Sequence, residues 1–289
     1  MSHIVCVGDV MVDVLARLPG PLVVGSDTPA PIDFLGGGAA ANVAAWSVAS
    51  GAAATLLGRV GDDPLGRSAV AELAAAGVDM RVDFDGQRPT GTCIVLVDSS
   101  GERTMVPAAG ANDAAIDLAT LPADADWLYV SGYALFAAGS RASARQAIDV
   151  ARERGWSIAV DAASAAPLAT VGAETFLGWL GGRILLLAND DEARVLTGLA
   201  DPMLAAQRLA GRLGQAVVKL GAAGALWSDG SSACRSPAPP AKVVDTTGAG
   251  DAFAAGYLVT DGEARERLSG AARLAAQAVT TVGGRPVRT

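Results

Sequence analysis

Short runs rich in Val, Ile and Leu alternate along this chain with longer Ala-rich stretches, and no other feature restricts its possible folds as strongly. Residues 4–7, 55–60, 127–130, 157–160, 184–187 and 216–220 read as strands. Residues 39–50, 66–76, 140–154 and 203–213 read as helices lying between them. Strands joined through helices pair in parallel, and a parallel sheet needs helices on both faces. The run Ile184-Leu185-Leu186-Leu187 is apolar at every position, as a strand covered on both faces must be. The expected fold class is therefore α/β, in three layers around a mostly parallel central sheet.

Two segments break the alternation. Residues 92–97 and 103–106 flank the polar tip Asp98-Ser99-Ser100-Gly101-Glu102, which predicts a β-hairpin. Residues 12–35 lack a helical pattern and contain Pro19, Pro21, Pro29 and Pro31. Together they predict a small β lid, contributed by approximately 12–36 and 81–107 of a single domain spanning 1–289. Such a flap either closes over a substrate or is a plain β excursion. Ser236-Pro237-Ala238-Pro239-Pro240 reads as a rigid surface loop.

Composition removes whole classes of function. A net charge of -8 with no Lys/Arg run argues against a nucleic-acid surface. Cys6, Cys93 and Cys234 are far apart and odd in number, which argues against zinc and against a disulfide framework. No apolar stretch is long enough to span a membrane, and Asp9 and Asp13 interrupt the N-terminal apolar run too early for a signal peptide. A soluble, cytoplasmic protein is expected. His3 is the only histidine, so base chemistry falls to carboxylates, Lys or Tyr.

Three strings carry candidate chemistry. In Val244-Asp245-Thr246-Thr247-Gly248-Ala249-Gly250-Asp251-Ala252-Phe253, a strand-like Val-Val enters a Gly-Ala-Gly turn, and a helix is read from Ala252 to Leu258. A turn of small residues at a helix start exposes N–H groups that bind anions. Asp251 is then either a base beside that anion site or a residue that simply favours the helix start. Gly36-Gly37-Gly38-Ala39-Ala40-Ala41-Asn42 allows close backbone approach to a ligand, or is a tight turn before a helix. Asp13, in Gly8-Asp9-Val10-Met11-Val12-Asp13, sits just beyond the first predicted strand, where ligands of parallel sheets bind. It is either a hydroxyl acceptor or a solvated loop residue.

In combination these strings resemble the signatures of the ribokinase-like (pfkB) carbohydrate kinase family. Gly37-Gly38 through Asn42, with Gly58-Arg59-Val60-Gly61-Asp62-Asp63-Pro64-Leu65-Gly66, is similar to its N-terminal signature. Asp245 through Asp251, with Phe253 and Gly256, is similar to its C-terminal one. Asn189-Asp190-Asp191-Glu192, Gly110-Ala111-Asn112 and Lys219-Leu220-Gly221-Ala222-Ala223-Gly224 fall between them in the family's order. The resemblance covers essentially the whole chain and implies a ribokinase-like fold and an ATP-dependent kinase.

The resemblance also implies residue roles. Asp251 would be the catalytic base, and Gly248, Ala249 and Gly250 the anion hole. Asp13, Gly37, Gly38 and Asn42 would hold substrate hydroxyls. Arg103 would either reach the substrate or stay solvated on the lid. Asn189, Lys219, Gly221, Gly224, Thr246 and Val279 would serve the nucleotide. Glu192 would organise Mg²⁺ through water, and Asp245 with Thr247 would hold a monovalent cation such as K⁺. A homodimer is the implied assembly.

The expected substrate is a sugar or, as the alternative, a nucleoside. Ala39 stands where ribokinases commonly carry Lys, and Tyr133 lies near the place of one of their Glu residues. Asp161-Ala162-Ala163-Ser164-Ala165 lacks the Asn and Arg of an Asp-x-Asn-x-Arg pattern. Tyr133 and Phe136 either stack on a ligand ring or pack in the core. A non-catalytic sensor on the same fold is a third reading, disfavoured by the intact Asp251 turn.

Overall fold

The computed structural model describes residues 2–99 and 101–287; Ser100, in the predicted hairpin tip, and Met1, Arg288 and Thr289, at the ends of the expected domain, lie outside the described residues. In chain order the strands are β1 (His3–Val7), β2 (Met11–Arg17), β3 (Ile32–Gly37), β4 (Ala53–Gly61) and β5 (Asp79–Asp85). They continue as β6 (Gly91–Val97), β7 (Arg103–Ala108), β8 (Trp127–Ser131), β9 (Ser157–Asp161) and β10 (Ile184–Asn189), and end with β11 (Gly214–Lys219), β12 (Ala225–Ser228) and β13 (Ala233–Ser236).

Nine strands form the central sheet in the order β13-β12-β11-β10-β9-β8-β1-β4-β5. Pairing is parallel from β5 to β11, and the edge strands β12 and β13 run antiparallel. Successive side chains of a strand point to opposite faces, and here both faces are buried. Leu185 and Leu187 join the core beneath helices Ala39–Ala49 and Ala249–Val259, while Ile184 and Leu186 join the one beneath Arg141–Glu153 and Pro202–Leu213. The unbroken apolar run at 184–187 follows from that double coverage.

The remaining strands form a separate sheet, β3-β2-β6-β7, in which β6 and β7 make the expected antiparallel hairpin. The expected lid segment is divided: β5 pairs in parallel with β4 at the edge of the central sheet, and only the chain from β6 onward reaches the small one. Asn112 ties this sheet to the body, its side chain accepting from the Val10 N–H at 2.9 Å and donating to the Val10 carbonyl at 3.0 Å. The Asp62-Asp63-Pro64 string is structural. Asp63 caps helix Pro64–Ala75 by accepting from the Gly66 N–H, and it also accepts from the Thr90 N–H and hydroxyl.

Helices Ala249–Val259 and Ala264–Ala278 pack closely at Gly256, where a Cβ would stand 2.8 Å from the Ala271 Cα. Nothing at that crossing is a flexible side-chain end, so added volume must push the helices apart. Gly256→Val should therefore lose about 1–3 kcal/mol of stability, read as a lower midpoint in urea unfolding. An unchanged midpoint would show that the crossing yields freely.

Candidate active site

The site lies where the parallel strands end at their carboxyl termini. Asp161, Asn189 and Lys219 are the last residues of three neighbouring strands, β9, β10 and β11. Parallel register places Asn189 beside Lys219. Lys219 Nζ then reaches the Asp161 carboxylate at 2.7 Å, with both side chains largely buried. Burial works against the Lys219 charge, but Asp161, Glu192 and Asp251 outweigh it and hold its pKa above the ordinary lysine range. His3 is at the opposite end of β1, with its ring bonded to the Asp124 carbonyl and the Thr55 hydroxyl, so no imidazole serves the site.

The glycine-rich turn opens helix Ala249–Val259 with Gly248 as its N-cap, and Asp251 falls in the first turn. The helix therefore starts three residues earlier than Ala252. The Val243-Val244 pair is not a strand: both side chains are exposed, and the N–H groups of Val244 and Asp245 bond to the Val279 carbonyl. The predicted residue Val279 thus shapes the loop through its backbone. Gly248 has φ +71°, and a Cβ there would lie 2.5 Å from the Gly284 Cα, so only glycine fits. The first N–H groups of a helix have no acceptor within it. The Ala249 N–H is spent on Thr246 O at 3.3 Å, which leaves Gly248 and Gly250 as the better-placed anion donors. Lys219 Nζ stands 3.4 Å from where a Gly250 Cβ would be, so a cation faces the turn.

Asp251 accepts a 2.8 Å hydrogen bond from Asn42 Nδ2. Its pKa is pushed up to about 8, first by burial and then by Asp161 and Asp9, against the lowering effects of the Asn42 bond and Lys219. Asn42 is buried in the first turn of helix Ala39–Ala49, which follows the three glycines. Asp13 lies within β2 of the small sheet rather than just beyond β1. Its carboxylate covers Gly37, where a Cβ would meet Oδ1 at 2.5 Å, whereas Gly38 lies against the Asp9 carbonyl, where a Cβ would come within 2.5 Å. Burial lifts Asp13 to about 6, Arg285 lowers it, and Asp9 and Asp245 raise it.

Arg103 reaches from β7 across to the loop before the turn. It pairs with Asp245 Oδ1 at 2.7 Å and bonds the hydroxyls of Thr246 and Thr247. Despite burial, Asp245 has a lowered pKa because the N–H groups of Gly283 and Thr247, the Thr247 hydroxyl and Arg103 all favour its charge. Asn189 and Glu192 form a reciprocal cap on helix Asp190–Thr197, and the Glu192 carboxylate accepts from both the backbone and the side chain of Asn189. Burial and Asp161 raise its pKa. A groove of about 510 Å³ is lined by Asn189, Lys219, Gly221 and their neighbours, a size suited to a small ligand. Gly224 does not line it; a Cβ there would collide with the Ser236 carbonyl.

Three residues of the site lay outside the sequence expectations. Asp161 was quoted only for the motif that it fails to complete. Asp9 is buried, accepts from the Ala39 N–H at 2.8 Å, and leaves Oδ1 without a partner among the described residues. Arg285 arrives from beyond the last helix, where no local pattern announces it.

Known proteins resemble this chain in sequence and in fold. The family model described as pfkB family carbohydrate kinase matches residues 1–288. A fructokinase of Klebsiella pneumoniae is 33% identical over 265 residues, which is 87% of this chain and 81% of that protein. An adenosine kinase structure from Sinorhizobium meliloti superposes with a TM-score of 0.88 at 27% identity, over 99% of this chain and 96% of that one. A fructokinase structure from Vibrio cholerae O395, in a form with fructose, ADP and calcium bound, gives 0.78 at 28% identity, over 98% and 94% of the two chains.

Proposed function

The chain belongs to the pfkB family of carbohydrate kinases, and on that premise we propose that Asp251 is the general base and the Gly248-Ala249-Gly250 turn its anion hole. The family membership makes it an ATP-dependent kinase of sugar-like substrates. Its fold is the three-layer ribokinase-like one. We take it as one kinase domain with the small sheet as its lid.

One observation carries the assignment: the carboxylate of Asp251 shares its helix start with free N–H groups and with the Lys219 ammonium. Phosphoryl transfer needs positioning and charge stabilisation more than covalent chemistry. Asn42 holds Asp251 Oδ2, which leaves Oδ1 to take the proton of the acceptor hydroxyl. The oxygen so exposed attacks the terminal phosphorus of ATP, and ADP leaves. The N–H groups of Gly248 and Gly250, with Lys219, face the charge that develops on the phosphoryl oxygens. Asp13, Gly37 and Gly38 hold the other hydroxyls of the substrate. The groove at Asn189, Lys219 and Gly221 takes the nucleotide, while Thr246, Val279 and Gly224 act by shaping the backbone around it.

The kinase works with a divalent metal, for which Mg²⁺ is the proposed ion. No group of three or more acidic, His or Cys side chains among the described residues is placed to hold a metal. That fits a hard cation held chiefly by phosphate oxygens and water, with Glu192 supporting its water shell. When bound, it would neutralise charge on the phosphates.

A sugar is the proposed substrate. One feature favours a nucleoside instead: Tyr133 is 43% exposed and close enough to Asp9 and Asp251 to feel their charges, which puts an aromatic side chain beside the site. ATP consumption with D-fructose, D-ribose and adenosine separates the two readings. Tight ligand binding without turnover on any of them would indicate a sensor. The apolar row Phe34, Val14, Ile94 and Val106 crosses the lid sheet, with Phe34, Ile94 and Val106 exposed, and supports a homodimer. Light scattering should give the mass of two chains, and a single-chain mass would reject it.

Asp251→Asn should retain ATP binding and turn over at least ~10²-fold more slowly. The base must be ionised to act, so a raised pKa means activity is lost as pH falls. For the wild type, kcat/KM should climb with pH to a plateau above about 8, the value that burial imposes on Asp251. An acid limb near the ordinary aspartate range would sink the assignment.

K⁺ at Asp245 and Thr247 would have to compete with the Arg103 guanidinium that already neutralises Asp245. Arg103→Gln should therefore depend on K⁺ more strongly than the wild type, read as turnover in KCl against N-methyl-D-glucamine chloride. Equal ratios in both proteins would remove the cation from that site.

A further inference from the structure

The chain beyond helix Ala264–Ala278 returns through the active site. The Gly283 N–H bonds Asp245 Oδ2 at 2.9 Å, and the Gly284 carbonyl accepts from the buried Trp46 Nε1 at 2.9 Å. Arg285 then turns inward, with its side chain 8% exposed. Its Nη1 pairs with Glu72 at 2.9 Å, Nη2 donates to the Gly37 carbonyl at 2.9 Å, and Nε donates a longer bond to Asn42 Oδ1 at 3.4 Å. The guanidinium packs on the face of Gly36, which only a glycine leaves open.

An arginine has donors only, whereas an amide end has one acceptor and one donor group. Arg285 Nε against its oxygen and the Asp251 carboxylate against its NH₂ favour the same amide orientation of Asn42, in which it donates a 2.8 Å bond to Asp251 Oδ2. A flipped amide would set an oxygen against the carboxylate. The fork geometry lets one side chain brace the helix bearing Glu72, the glycine loop and Asn42 together.

We infer that Arg285 is a positioning residue for the reaction, acting through Asn42 to orient Asp251. Its kinetic meaning rests on Asp251 being the base; the hydrogen-bond relay does not. The groups that face Asp251 from other elements are Asp161, Asp9 and Lys219, and Tyr129 and Tyr133 also lie within reach of its charge. Glu72 and Asp13 face Arg285. Each of these is unchanged in the variants below.

The relay is tested by titrating the carboxyl carbon of Asp251 by NMR in aspartate-labelled protein, with the signal assigned by its loss in Asp251→Asn. A hydrogen bond to a charged group sets the scale, so Arg285→Gln should move the midpoint up by about one pH unit. Asn42→Ala should move it equally, and the double variant no further. Arg285→Lys, which keeps the charge without the fork, should still shift it. Turnover of Arg285→Gln should fall by up to ~10²-fold with KM for ATP little changed. An unmoved midpoint, or a shift that adds in full to that of Asn42→Ala, would overturn the inference. If Arg285→Gln does not fold, the Arg285→Lys titration decides alone, an unmoved midpoint counting against the relay. Should the midpoints shift while Asp251→Asn turns over normally, the base assignment fails and the relay stands.

Discussion

Lys219 carries its charge in a place where burial alone would remove it, and much of the site depends on why it can. Asp161 pairs with it at 2.7 Å, and Glu192 and Asp251 add to the attraction. Those carboxylates would in turn repel one another without the ammonium. Breaking a buried pair leaves an uncompensated charge, so the members are retained together. The parallel sheet makes the arrangement inexpensive, because it sets Asn189 level with Lys219 and ends the neighbouring β9 at Asp161, level with Leu187, on the same edge. Asp251 is the member that stays under-compensated, and its proton affinity is the measure of that imbalance.

Close backbone approach supplies the second half of the site. Gly248 tolerates Gly284 against it, and Gly36 tolerates the Arg285 guanidinium. A side chain at Gly36 would displace the guanidinium, and one at Gly248 would push the C-terminal segment away. With it would go the bonds from Gly283 to Asp245 and from Trp46 to Gly284. The glycines therefore do more than bare N–H groups to a ligand. They also let a distant piece of chain fill the back of the site, where it fixes groups that the ligand then meets.

The layers of the fold were legible because strand and helix periods differ and both faces of the sheet are covered; the run at 184–187 is the clearest case. The glycine-rich turn at the helix start was legible because small residues beside Asp251 are a local signal. The pairing of Arg285 with Asn42 was not, since it joins residues 243 positions apart through a segment with no periodicity. The destination of Arg103 was hidden for the same reason: the bond to Asp245 depends on how two sheets sit, not on any neighbouring residue. The error over β5 had a different cause. Asp79–Asp85 alternates in polarity like a lid strand, but an edge strand of the central sheet is also half exposed and carries the same pattern.

The small sheet is tied to both halves of the chemistry. Asp13, on β2, belongs to the proposed substrate subsite, and Arg103, on β7, holds the loop that leads into the anion turn. On the proposed reading, a substrate bonded to Asp13 and a nucleotide at Gly248 would both act on the position of this sheet. A ligand shifts a conformation only by binding one state better than another. If both ligands prefer the closed lid, each strengthens the other by the same factor, whichever binds first. Water would then be excluded only when both are present, the condition that the proposed base Asp251 would need to take a proton from a hydroxyl rather than expose ATP to hydrolysis.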